Sequence, residues 1–171
     1  EEIVNLFQNV FGVNSRPDQN GVWCRSRSVA GVLANLFGKS ARGKHLPEWM
    51  WHLPLHKQQI LLQSLWAGDG SINPKRVAYK TTSPMLAAAV TYLSARIGAI
   101  PAIQSTSEWI NLTYRGSDCN RMLKILAPDS IAPIRNRLHH YPKGNLIWLP
   151  LQKIDRVVYA GDVYNLSIEG D

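Results

Sequence analysis

Residues 60–70 read ILLQSLWAGDG, and the rest of the chain organises around them. Ile60, Leu61, Leu62, Leu65 and Trp66 predict a helix that is apolar nearly all round, while Ser64, Ala67 and Gly68 set small residues at i, i+3 and i+4. Such a small-residue stripe lets the backbone of another helix approach closely, so these three are the expected helix-packing positions. The helix closes on Asp69 and Gly70. A carboxylate in the last turn faces the negative end of the helix dipole, at a cost of about 0.3–1 kcal/mol, so a compensating positive group is expected beside it. A divalent cation would serve, because hard cations take oxygen ligands. The simpler alternative is an Asp that caps the following turn.

Outward from this segment the pattern is regular. Residues 55–69 read as a helix and residues 70–82, GSINPKRVAYKTT, as a hairpin turning at Asn73-Pro74. Residues 85–98, MLAAAVTYLSARIG, read as a second helix ended by Gly98. Two strand-like runs follow, Ile100 to Ser105 and Trp109 to Arg115, then a helix from about Cys119 to Leu126 stopped before Pro128. The unit is helix, two strands, helix, two strands, helix. Upstream, residues 2–12, EIVNLFQNVFG, space Ile3, Leu6, Phe7, Val10 and Phe11 as one face of a helix closed by Gly12. A polar loop with Pro17 and the turn signal Asn20-Gly21 leads to a strand-like run from Val22 to Ser26 and a helix from Val29 to Phe37. This stretch repeats the second half of the downstream unit. The chain is therefore expected to start inside a repeat and to be part of a longer protein.

Composition sets the class. With 171 residues, 45% hydrophobic and 18% charged, the chain has the balance of a globular domain and is unlike disordered or disulfide-rich sequences. Nineteen Lys and Arg against twelve Asp and Glu give a net charge of +7, which points to a large anionic partner, nucleic acid first. No apolar run reaches the roughly 18 residues of a membrane span, and the sequence opens on acids where a signal peptide carries bases, so no membrane partner is expected. Cys24 and Cys119 form no metal-ligand or redox spacing, which fits an intracellular, cytoplasmic location. His52 and His56 have i, i+4 spacing, but Pro54 interrupts the helix that a shared metal would need.

LQSLWAGDG, residues 62–70, resembles the nine-residue motif of the LAGLIDADG (DOD-type) homing endonucleases, with Leu62 and Leu65 at its leucines and Asp69-Gly70 at its closing acid and glycine. Ser64 replaces its usual Gly and Ala67 its usual Asp. FGKSARGKHLPEWM, residues 37–50, resembles the block before the second motif in endonucleases embedded in inteins, and Lys44 occupies the place of its lysine. YKTTSPMLAAAV, residues 79–90, is similar to the strand-to-helix passage after the motif. GDVYNLSIEGD, residues 161–171, looks like a strand near the C-terminus of intein splicing domains.

The resemblance implies an α+β fold: a LAGLIDADG-type αββαββα repeat with a saddle-shaped antiparallel sheet, its first repeat truncated, followed by a short β segment of a Hint-type splicing domain. The implied division is 1–54 for the remainder of the first repeat, 55–145 for the second, and 146–171 for the splicing segment. The implied activity is site-specific hydrolysis of double-stranded DNA with Mg2+ or another divalent metal, incomplete in this fragment, within a protein-splicing precursor whose host exteins are further partners. Asp69 and Gly70 are the implied metal-binding residues, and Asp69 and Lys44 are the implied catalytic pair. Two motif helices pack together in this family, each serving one DNA strand, so a homodimer through the motif helix is a further possibility. The alternative is a relative that keeps the fold as a non-cleaving DNA-binding regulator or an RNA maturase.

Alternation suggests which side faces DNA. Ile110, Leu112 and Tyr114 alternate with Asn111, Thr113 and Arg115, so one sheet face is apolar and the other donates hydrogen bonds. Lys75, Arg76, Lys80 and Thr82 of the hairpin and Gln104 of the neighbouring strand join this surface. Arg25 and Arg27, two apart on the upstream strand, extend it, and Arg135 or Arg137 after the last helix is the comparable basic group of the second unit. A two-stranded ribbon of this kind fits a major groove. The tail is expected to form two strands, Leu146 to Val158 interrupted by Pro150 and Val163 to Ile168, and to lack the terminal residues that splicing needs.

Overall fold

The computed structural model describes residues 2–19, 21–131, 140–143, 146–151 and 153–164. The chain divides into two compact units, Glu1–Leu138 and His139–Asp171. The larger unit contains, in order, α1 (Glu2–Phe11), β1 (Ser15–Asp18), β2 (Gly21–Cys24), α2 (Arg27–Phe37), a 3-10 turn (Glu48–His52), α3 (Leu55–Asp69), β3 (Gly70–Asn73), β4 (Arg76–Thr81), α4 (Pro84–Arg96), β5 (Ala102–Ser105), β6 (Ile110–Tyr114) and α5 (Gly116–Leu126). From α3 to α5 this is the αββαββα order that the spacing predicts.

The strands β3 to β6 form one antiparallel sheet in the order β3-β4-β6-β5. Its register separates two faces, because directly paired residues share a side. Tyr79 pairs with Leu112 and Val77 with Tyr114, and all four are buried. Leu62 and Trp66 of α3, Leu86, Val90 and Leu93 of α4, and Cys119, Met122 and Leu123 of α5 close over this face as a single core. Trp66 anchors it, with ring centroids 5.0 Å from Tyr79 and 5.9 Å from Tyr114. Each such buried side chain contributes about 1.5–3 kcal/mol of transfer free energy. Ser83 starts α4 as its N-cap, accepting from Leu86 N at 3.1 Å, with Pro84 in the first turn where its missing N–H costs nothing.

Three local expectations change. Pro17, read as loop, lies in β1, which pairs with β2 as an isolated two-stranded ribbon; both strands there are edges, where proline is tolerated. The strand read to Ser26 stops at Cys24, because the Ser26 hydroxyl accepts from Val29 N at 3.3 Å and starts α2 at Arg27. The helix read as apolar all round keeps an open side: Ile60, Ser64, Ala67 and Gly68 are exposed.

In the smaller unit, β7 (Tyr141–Lys143) pairs antiparallel with β8 (Leu146–Trp148). The long strand expected from Leu146 to Val158 ends at Trp148, just before Pro150 removes an N–H donor. Residues 153–164 form no strand, and Ile154, Val157, Val158 and Tyr159 are exposed. The expected strand from Val163 to Ile168 is absent at 163–164 and otherwise lies outside the described residues.

Candidate nucleic-acid interface

Asp69 ends α3 and Gly70 begins β3 with no intervening loop. That direct turn requires glycine for want of space: a Cβ at Gly70 would overlap the Trp66 indole and lie 2.7 Å from Trp66 Cα. The Asp69 carboxylate is thereby fixed at the helix tip, one residue from the sheet. Its Oδ2 lies 3.5 Å from Lys44 Nζ, with the two side chains 56% and 49% exposed respectively. Lys44 is the positive group that the helix dipole calls for. An ion pair this open to water is worth under about 1 kcal/mol, so a ligand can displace either partner at little cost.

Lys44 reaches this position through a tightly built loop. Gly38 ends α2 at φ +83, a left-handed conformation, and a Cβ there would overlap the Gly43 carbonyl. His45 N donates to Phe37 O at 3.0 Å, and the Ser83 hydroxyl donates to the Lys44 carbonyl. Leu46 and Met50 then enter the core, and buried Gln58 of α3 donates to Trp51 O at 2.9 Å. Lys44 thus stands on a fixed backbone.

Asp69 and Lys44 line an open cleft of about 330 Å³ with Ala41, Lys80, Thr81, Thr82 and Trp109. Lys80 Nζ sits 4.5 Å from the centroid of the Trp109 ring. Tyr79, on the opposite side of β4 from Lys80, has its phenol pushed up to about 12, by burial first and then by the negative charge of Asp69. Among the described residues no cluster of three or more His, Cys, Asp or Glu could enclose a metal.

The polar face of the sheet continues from this cleft. The register sets Lys80 opposite Asn111 and Asn111 opposite Gln104. Thr113 pairs with Ala78 and Ala102 on the same face, and Asn111 Nδ2 donates to Thr113 Oγ1 at 3.1 Å. Arg76, Thr82 and Arg115 share this parity, at or just beyond the strand ends, and Lys75 lies in the β3–β4 turn, where its N–H bonds Asn73 Oδ1 at 3.0 Å. Arg25 and Arg27, expected side by side on one strand, are separated: Arg25 follows β2 and Arg27 opens α2. Arg25 instead lines a recess with Asn14, Arg16 and the 63% exposed Trp23. Arg135 and Arg137 lie outside the described residues.

Trp109, Arg42 and Ser83 were not singled out by the sequence. Each acts across a long separation: Arg42 Nη2 donates to Ser107 O at 2.6 Å and Ser83 holds Lys44, 39 residues away. Trp23 carried one usable signal, its alternation with Arg25.

Residues 57–126 match the sequence profile of the LAGLIDADG-like domain. The DNA gyrase A protein of Mycobacterium kansasii is 34% identical over 73 residues, 40% of this chain and 13% of the relative. The uncharacterized protein MJ0043 of Methanocaldococcus jannaschii is 25% identical over an alignment spanning 100% of this chain and 24% of its own length. The chain therefore spans a quarter or less of these curated relatives. Among solved structures it is similar to the homing endonuclease I-DmoI, at 12% identity and TM-score 0.56 over 75% of this chain and 74% of that one. A second I-DmoI structure, in complex with DNA and Mn, aligns at 13% identity and TM-score 0.54, covering 73% of this chain and 70% of I-DmoI. At these identities the likeness is one of fold: mixed α and antiparallel β, of the LAGLIDADG homing endonuclease type. No helix among the described residues is long and apolar enough to cross a membrane.

Proposed function

We propose that this chain carries one half-site of a LAGLIDADG-type DNA endonuclease, binding duplex DNA on the polar sheet face and cleaving one strand at Asp69. The observation that carries the reading is the coincidence of an exposed carboxylate at a helix tip, a lysine 3.5 Å away, and a hydrogen-bonding sheet face beginning at the same cleft. A purely structural Asp69 would not need to open onto that face.

The donor set fits a magnesium ion completed by the substrate. Mg2+ commonly takes one or two carboxylates and fills its shell with water and phosphate oxygens. Asp69, beside the Gly70 turn, offers the carboxylate in an open cleft, and among the described residues no second acid lines it. When bound, the ion supplies Lewis acidity toward the phosphoryl group and a lower pKa for the attacking water. Lys44 has a separate task. Once Asp69 is engaged elsewhere, its ammonium is free to neutralise charge developing on the scissile phosphate. Arg76, Lys80, Thr82, Gln104, Asn111, Thr113 and Arg115 hold the duplex, the cations through phosphates and the neutral donors through base edges. The exposed Ser64, Ala67 and Gly68 stripe receives a second motif helix, from the same precursor or from a second copy, which brings the acid for the other strand.

Similarity to short segments of much longer gyrase proteins supports an intein-embedded origin, with the gyrase name belonging to the host protein. Exteins are then the flanking partners and the cytoplasm the site of action.

The test uses duplexes selected for binding to the full chain, then incubated with Mg2+. Asp69→Asn should reduce strand nicking by about a hundredfold or more while affinity stays within about threefold. Nicking by Asp69→Asn at the original rate would remove Asp69 from the chemistry. Tight duplex binding without any metal-dependent nicking would leave a DNA-binding regulator instead.

A further inference from the structure

Lys44 and Lys80, the two cations of the cleft, are held in different ways. Lys44 faces the Asp69 carboxylate, so its charge is partly spent until another group takes that acid. Lys80 lies over the Trp109 ring at 4.5 Å, where attraction to the π face localises the ammonium without neutralising it. The backbone that carries the ring is itself fixed. Trp109 N donates to Thr106 Oγ1 at 3.1 Å, and Trp109 O accepts from Thr106 N at 2.9 Å, closing the β5–β6 turn. Arg42, two residues before Lys44, donates to Ser107 O of that same turn at 2.6 Å. One turn therefore braces both lysines, one through an aromatic ring and the other through the loop that carries it.

We infer that Trp109 is a positioning residue, which holds Lys80 at the Asp69 cleft as a preorganised, unneutralised cation for a nucleic-acid phosphate. The inference rests on the proposed function and narrows the phosphate contact of Lys80 to the Asp69 cleft. Its physical basis is the rotamer freedom of lysine. A free lysine loses that entropy on meeting a phosphate, whereas one already seated on a ring has lost much of it beforehand.

The test measures affinity of the full chain for a selected duplex, without divalent metal, across a salt series. Lys80→Met should lower the slope of log K against log salt by about 0.9, the signature of one lost phosphate contact. Trp109→Leu should weaken binding about threefold and Trp109→Phe less than about twofold, since a phenyl face keeps part of the attraction. In the Lys80→Met background Trp109→Leu should cost nothing more. Equal losses from Trp109→Leu in both backgrounds, or an unchanged salt slope in Lys80→Met, would overturn the inference while leaving duplex binding intact. Failure of the unaltered chain to bind duplex at any salt would overturn it together with the proposed function. A readout independent of variant folding is the NMR shift of the Lys80 ε-methylene protons. They should lie upfield of those of the other lysines through the Trp109 ring current, and a shift in the ordinary lysine range would refute the contact.

Discussion

The stretch from α1 to α2 and the stretch from α3 to α5 use the same local patterns and reach different degrees of burial. Ile3, Leu6 and Val10 trace one apolar face of α1, yet they are 55%, 55% and 60% exposed, and α1 buries no residue. Leu86, Val90 and Leu93 trace the corresponding face of α4 and are buried. The difference lies in what each helix can pack on. Below α4 is a four-stranded sheet with helices α3 and α5 beside it, whereas α1 meets a two-stranded ribbon, a unit of marginal stability by itself. An amphipathic period specifies a helix and its buried side, but only a surface of sufficient area makes that burial happen.

Core truncations should break this comparison most visibly. Leu112→Ala, in the centre of the sheet, should destabilise the chain by about 2–5 kcal/mol in urea unfolding, whereas Leu6→Ala should cost less than about 1 kcal/mol. Equal losses would mean that α1 is packed as firmly as α4.

Next in size are two glycines of the motif. Gly70→Ala sets a methyl against the Trp66 indole and should cost about 1–3 kcal/mol by overpacking. At Gly68 a Cβ meets nothing within 4 Å, so Gly68→Ala should leave the free chain unchanged or stabilise it by up to about 1 kcal/mol through helix propensity. A Gly68→Ala chain that is stable but loses association with a second motif helix would sharpen the reading of the α3 stripe. Equal thermal stability of both variants would contradict the close approach at Gly70.

The last expected effect is alkaline. Tyr79 is raised to about 12 from an ordinary value of 10.0, and burial raises Tyr114 as well. In both cases the fold favours the neutral phenol. Above pH 10 the unfolded chain releases protons that the folded chain keeps, so stability is fully present below about pH 10 and falls as pH rises toward 12. Urea unfolding of Tyr79→Phe should show a shallower fall over that window, and Asp69→Asn should bring the Tyr79 midpoint down. Both tyrosines lie in the sheet of the second stretch, so this loss should appear in its amide exchange.

Much of the candidate site was legible before any coordinates. The period of two in residues 109–115 sets Asn111, Thr113 and Arg115 on one face, and the observed register agrees. Asp69-Gly70 at a helix end follows from the spacing of residues 60–70, and Lys44 from its resemblance to an intein-endonuclease block. Trp109, Arg42 and Ser83 were beyond reach, because each matters through a partner far along the chain. The expected strand of 146–158 failed for a related reason: apolar, β-branched residues favour an extended chain, but a strand forms only where a neighbour takes its N–H and C=O groups.

The sequence alone thus determined which stretches coil or extend, which side of each is apolar, and where a carboxylate ends a helix. These are matters of a few residues' spacing, set by the periods of 3.6 and 2.0 and by caps and turns. Tertiary structure alone decided that Lys44 meets Asp69, that Lys80 rests on Trp109, and that α1 stays exposed while α4 is buried. Contacts between residues tens of positions apart depend on how the sheet registers and the helices close over it, and no local periodicity encodes that distance.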